Sequence, residues 1–332
     1  HYTVASPQAL SIPAQEPSLG HIGEEQRARS ARTSAQYLEL LKNISYDALP
    51  DKDKITYDIL KWEFETARSS TGYPFFSEPV SPTLGIQAQL PILLAEYEFR
   101  CSADIEDYLL LLRGLPDYYK ELAAYEHEKA QAGLFMSGHA LESVISQCRD
   151  FLCDVDEHYL NTTFQTRIDA LEWLSDEQKG QFKQLNRSTL TSYVYPAYET
   201  LISDLNALKD TCTNQEGLCH FPDGKEYYTW LVKSSTGSES TPGELIQRVQ
   251  KQMQTDLNDM SAMIDSNPDV LKKLQKLTVT LTTPDAILAH LREQMQEQFP
   301  TPPNVACTIK YVDASLQKHL SPAFYLTPPV DR

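Results

Sequence analysis

Leu190, Val194, Ala197, Leu201, Leu205 and Leu208 recur at steps of three and four residues, the period that stacks side chains on one face of an α-helix. A strand would need alternation instead. The predicted helix opens near Ser175 and Gln178, which are spaced as a capping box. Pro196 inside it predicts a kink, because the pyrrolidine ring lacks an N–H and crowds the preceding turn. A helix this long with one apolar face must bury that face against other elements, so it commits the chain to packed helical layers.

The same period returns elsewhere. Ile105, Tyr108, Leu109 and Leu112 form a stripe after Ser102, and Pro116 restarts a helix that runs to about Gly133, a stop signal. Residues 24–43 and 51–68 read as two earlier helices, the second carrying Ile55, Ile59, Trp62 and Phe64. Ile246, Val249, Met253, Leu257, Met260 and Ile264 follow Thr241-Pro242. Leu288, Leu291, Met295 and Phe299 follow Thr283-Pro284-Asp285, where an N-cap, an N1 proline and an acidic residue suit a helix start. Residues 71–91, rich in proline and aromatics, read as an irregular excursion over the helices. Two short runs carry strand chemistry, Thr278-Val279-Thr280-Leu281 and Ala306-Cys307-Thr308-Ile309-Lys310-Tyr311-Val312. The expected fold is therefore mainly α, a multi-helix array with a small β element near the C-terminal end. Residues 1–303 are the helical scaffold, and 304–332 the start of a sheet-containing, catalytic part. Both ends read as cut: the chain opens on His1-Tyr2-Thr3-Val4 and closes on Pro328-Pro329-Val330-Asp331-Arg332.

Charge and composition narrow the partners. With 46 acidic against 29 basic residues the net charge is -17, which repels phosphate backbones and anionic lipid headgroups. Nucleic acid is thereby excluded as a partner. No apolar run approaches the roughly 20 residues of a membrane helix, so no membrane-spanning segment is expected. A hydrophobic content of 41% is enough for a sizeable core. The six cysteines form no Cys-x-x-Cys pair, which leaves no zinc knuckle or thioredoxin-like site. Cys212 and Cys219 bracket a polar turn. They read either as a disulfide suited to an exported protein or as two free thiols. Cys148 and Cys153 read as packing residues.

Metal-ligating patterns are incomplete. No two of the eight histidines are four apart, and His127-Glu128 is followed by Lys129-Ala130-Gln131 rather than by a second ligand. The helical His-Glu-x-x-His device of zinc peptidases is absent, and His127 reads as a solvated helical histidine. There is no nucleophile elbow and no phosphate-cradling glycine loop. The 18 tyrosines, among them Tyr227-Tyr228, Tyr193, Tyr195, Tyr198, Tyr311 and Tyr325, are candidates to line a cleft, their commoner role being helix packing with the hydroxyl reaching solvent.

Several stretches carry a resemblance. They are Leu49-Pro50-Asp51-Lys52-Asp53-Lys54-Ile55-Thr56-Tyr57, Gly85-Ile86-Gln87-Ala88-Gln89-Leu90-Pro91, Asp107-Tyr108-Leu109 with its later Leu-Pro step, Phe221-Pro222-Asp223-Gly224-Lys225-Glu226-Tyr227-Tyr228, and Tyr311-Val312-Asp313 leading to Ser321-Pro322-Ala323-Phe324-Tyr325-Leu326-Thr327-Pro328-Pro329. In order and spacing this set resembles the bacterial domain of unknown function 885 family. The resemblance implies a mostly helical fold akin to gluzincin-type zinc carboxypeptidases, in proteins often exported as lipoproteins. It places the metal motif, a His-Glu pair followed by Pro-Gly-His, downstream of Ser321–Pro329, so no ligand transfers to a residue of this chain. The expectation is an exported zinc-dependent peptidase or amide hydrolase as the parent protein, either membrane-anchored or secreted, acting on a peptide-like small substrate. This section would hold no cofactor, would not be catalytic alone, and would work with the remainder of its own polypeptide. Zinc belongs to the full-length parent. Gln87, Tyr311 and Tyr325 are the residues expected on the substrate-cleft wall. The competing expectation is a non-catalytic secreted helical module that binds a peptide or glycan.

Overall fold

The computed structural model describes residues 11–13, 16–278, 280–300 and 308–311, with Ala323 and Tyr325. The chain divides into two compact units, His1–Ser234 with Asp313–Arg332, and Ser235–Val312. The domain boundary expected after residue 303 falls within 301–307, outside the described residues.

The first unit is a helical array. Helices α1 (Glu24–Leu41) and α2 (Asp51–Ser69) form a hairpin. There follow α3 (Ile86–Ala95), α4 (Ser102–Arg113), α5 (Leu115–Gln131), α6 (Gly138–Phe151), α7 (Tyr159–Asp169), α8 (Asp176–Thr189), α9 (Tyr195–Ala207) and α10 (Gly224–Thr236). The stripe from Leu190 to Leu208 is buried throughout. It seats α9 against α5 and α6, while α7 and α4 pack on α8, and α3 packs on α6 and α7. Ser175 and Gln178 form the reciprocal capping box that opens α8. Gly133 ends α5 in the left-handed region at φ 72°. The Leu134 N–H returns to Lys129 O (2.9 Å) and the Gly133 N–H to Ala130 O (3.0 Å), a Schellman closure.

Pro196 acts through a change of helix type. Between α8 and α9, residues Leu190–Val194 widen into a π-turn. Widening the turn ahead of the proline gives the ring room that a regular α-turn would deny it. The second interior proline, Pro91 in α3, has another solution. Without an N–H it leaves the Gln87 carbonyl, four residues back, with no helical donor. The Tyr198 hydroxyl of α9 supplies one at 2.7 Å. Replacing Tyr198 with phenylalanine should strand that carbonyl in the core and cost about 1–3 kcal/mol in urea unfolding. A loss near zero would mean the carbonyl finds another donor.

Helix α3 overlaps the excursion expected over 71–91. Residues 86–91 are helical, and the irregular path spans 73–85. Of the apolar residues read on α2, Phe64 packs on Tyr37 of α1 at 5.2 Å and Trp62 is half-buried, while Ile55 and Ile59 are 62% and 55% exposed.

The second unit holds α11 (Pro242–Ser266), α12 (Val270–Gln275) and α13 (Pro284–Gln298). A Thr241–Glu244 capping box opens α11 and the Thr283 hydroxyl caps α13. The apolar stripe of α11 is open, Ile246, Val249, Met253, Leu257 and Met260 all being exposed.

The expected β element is not found. Among the described residues no strand occurs. Thr278, 280–281 and 308–311 have no regular structure, while Val279, Ala306, Cys307 and Val312 lie outside the described residues. The reason is physical. β-branched composition measures fit to a pleated, partnered surface rather than an intrinsic backbone preference, and among the described residues neither run meets a second strand.

Candidate functional site

A group of charged side chains lies where residues 70–80 cross α1 and α5. The Glu24 carboxylate ion-pairs with Arg27 (3.3 Å) and accepts the Phe75 N–H (3.0 Å). The Arg27 guanidinium donates to Tyr73 O (2.9 Å) and Ser70 O. Phe75 sits at φ 63°, an uncommon conformation for a bulky side chain, and these bonds hold it there. From α5, the Tyr125 hydroxyl meets Ser77 Oγ (2.7 Å) and Glu24 (3.3 Å). Lys129 Nζ donates to Ser77 O (2.9 Å) and lies 3.1 Å from Glu78 and 3.9 Å from Glu126.

Burial sets the electrostatics of this group. Glu126 and Lys129 are both 0% exposed, whereas the Glu78 side chain is half exposed. Neither carboxyl oxygen of Glu126 has a well-formed hydrogen bond, although the Val80 amide faces the carboxyl and favours its ionised form. Desolvation raises the Glu126 carboxyl to about 7 against the pull of Lys129, and the nearby Glu78 charge adds to the rise. A carboxyl that exchanges its proton near neutrality beside a buried ammonium marks a functional candidate. Its complete burial confines that role to the protein interior. In sequence the signal was there: Leu115, Tyr119, Leu122, Glu126 and Lys129 step by four and three along the buried face of α5, so two charges occupy core positions.

A second polar group surrounds Gln87. Its Nε2 donates to Ser81 O (2.7 Å) and Gln147 Oε1 (3.0 Å), and its Oε1 has no partner. At 2% exposure it ties the turn before α3 to α6. Any side chain on Gly85 would collide with it and with the Ser81 backbone. The other two residues expected on a cleft wall are open, Tyr311 at 78% and Tyr325 at 75% exposure. Gln87 and Tyr325 belong to the first unit and Tyr311 to the second. Cys212 and Cys219 are free thiols, the first half-buried and the second exposed, and desolvation raises the Cys212 thiol. Cys148 is buried in the core, and Cys153 is half-buried past the end of α6.

His158 is a further buried titratable group. Its Nδ1 caps α7 by accepting the Leu160 N–H (3.2 Å), and its ring packs against Phe151 and Tyr195. Nε2 has no partner at 0% exposure. Desolvation lowers the imidazole from 6.5 to about 4. The unfolded state therefore takes up the proton first. Stability is full above 6.5 and is lost as pH falls toward 4, by about 3 kcal/mol. Glu126 acts in the opposite direction over an overlapping window, so the native profile is flattened. In Glu126→Gln the acid loss should emerge, and adding His158→Asn, which keeps a capping side chain, should remove it. An acid loss that persists in the double variant would assign it to other groups.

Among the described residues no group of three or more His, Cys, Asp or Glu side chains converges as a metal ion requires. None of their helices is long and apolar enough to cross a membrane.

The sequence profile of the family described as "Bacterial protein of unknown function (DUF885)" matches residues 8–332. No curated protein matches the chain. Among solved structures, one titled "The crystal structure of the putative lipoprotein from Colwellia psychrerythraea" aligns at a TM-score of 0.66 and 17% identity. The alignment covers 75% of this chain and 44% of that one. At that identity the likeness is one of fold, and the chain spans less than half the length of the structure it matches.

Proposed function

The chain belongs to the bacterial domain of unknown function 885 family, and we propose that it is the helical scaffold section of an exported zinc-dependent peptidase or amide hydrolase. In this reading it supplies support and one wall of the substrate cleft, and the metal ligands come from other sequence. The observation that carries it is the row of uncovered apolar side chains on α2, Ile55, Ile59 and Leu60 at 62%, 55% and 39% exposure. Such a row belongs against another apolar surface. The share of the matched lipoprotein left unaligned gives that surface a source, since the alignment reaches only 44% of that chain. Its lipoprotein title is in keeping with export.

The test compares the purified chain with the complete reading frame that contains it. The complete product should retain zinc and cleave unstructured peptides, and residues 1–332 alone should do neither. Stoichiometric zinc bound by residues 1–332, or a complete product that neither binds zinc nor cleaves peptides, would overturn the reading.

A further inference from the structure

We propose that residues 73–80 form a strap latched onto α5 by Lys129, and that the proton on Glu126 sets whether the latch holds. This goes beyond the scaffold reading and stands whether or not that reading does.

The geometry is a competition of two carboxylates for one ammonium. Lys129 Nζ holds the strap through Ser77 O (2.9 Å) and Glu78 (3.1 Å). Glu126 waits one helical turn away at 3.9 Å with both oxygens unpartnered. While Glu126 is protonated, Lys129 and Glu78 form a balanced pair and the strap stays fastened. When the Glu126 proton leaves for solvent, a buried carboxylate with only the Val80 amide facing it draws on the same ammonium. Glu78 is half exposed, so water can solvate it once it is released, and the strap lifts with it. Among the described residues the groups facing Glu126 are Lys129 of α5 and Glu78 and the Val80 amide of the strap. Beyond them, Arg27 of α1 is engaged with Glu24, Ser70 and Tyr73, and Tyr125 and Tyr227 carry no positive charge. The strap also bears Phe76, which stacks on Tyr227 at 4.2 Å, and that ring in turn stacks on Trp230 of α10. Release would therefore loosen an aromatic surface as well as a loop.

Hydrogen exchange of peptides covering 73–80, corrected for intrinsic rates, tests the latch against α9 as an internal reference. Protection should fall by about tenfold per pH unit from pH 5 to pH 7 and level off above it, with α9 unchanged. Glu126→Gln should hold the strap protected and pH-independent. Glu78→Gln, which removes the repulsion on Glu126, should shift the fall to lower pH. Flat protection in the native chain, the same slope in Glu126→Gln, or a fall that α9 shares would overturn the proposal.

Discussion

Lys129→Met is expected to lower the unfolding free energy of the first unit by about 3–5 kcal/mol at pH 8. Methionine matches much of the lysine stem in volume, so little of that loss comes from packing. The loss comes from charge. Lys129 is 0% exposed and is the cation shared by Glu126 and Glu78. Removing it leaves the Glu126 carboxylate buried without a counter-charge, faced only by the Val80 amide, and leaves Ser77 O without its donor. The sign of the pH dependence follows. In the native chain the Glu126 carboxyl is raised from 4.5 to about 7. Its stabilising contribution is full below 4.5 and is lost as pH rises through 7, a difference of about 3 kcal/mol. In Lys129→Met the carboxyl rises further and the penalty at pH 8 grows, while acidification removes it. The Lys129→Met, Glu126→Gln double variant should recover most of the loss, the signature of a coupled pair. Trp62, Trp173 and Trp230 all lie in the first unit, so tryptophan fluorescence in urea reads this unit. A loss at pH 8 that Glu126→Gln fails to relieve would place the effect elsewhere.

The helices that sequence made legible are those with a stripe and a punctuated end. Residues 190–208 are the clearest case, since every member of the stripe is buried. Thr241 and Thr283 cap the helices their spacing announced. Residues 86–95 were opaque because the segment is apolar on nearly every side and carries Pro91. Without a polar face it has no period to read, and the partner that makes its proline tolerable, Tyr198, is 111 residues away. The β expectation failed for the complementary reason, since composition was read without a partner strand. The stripe of α11 marks a further limit. Periodicity shows which face a helix would bury, and it does not name the surface that meets it.

The buried charges show the same division. Glu126 and Lys129 fall in phase with the core of α5, which spacing alone reveals. That the two share the site with Glu78 and Ser77 depends on a chain crossing some fifty residues away in sequence. Gln87 was singled out from a motif-bearing stretch, and its polar neighbours are Ser81, Gln147 and Tyr198.

The second large effect is expected at Phe164→Ala, about 3–5 kcal/mol in the same urea titration. Helix α7 has a weak stripe, and Phe164 is its deepest aromatic at 0% exposure. Its ring stacks on Tyr108 of α4 at 5.3 Å and meets Phe99 edge-on at 5.4 Å. The Arg167 guanidinium, one turn along α7, lies 4.4 Å over Phe99 and 5.3 Å over Tyr108, and donates to the Tyr97 carbonyl beyond the end of α3. Deleting the Phe164 ring removes the surface against which Phe99 and Tyr108 are held, and so loosens the aromatic bed under a half-buried cation. Burial already lowers Arg167 from its usual range, so its charge depends on those rings and carbonyls for compensation. The cost should therefore exceed the cavity alone, with the tyrosine band in near-ultraviolet circular dichroism weakening before unfolding. Phe164→Leu keeps most of the volume and should cost under half as much. Equal losses for the two variants would mean the aromatic geometry, rather than the volume, holds α3, α4 and α7 together. A loss near 1 kcal/mol for alanine would mean the site collapses around the missing ring.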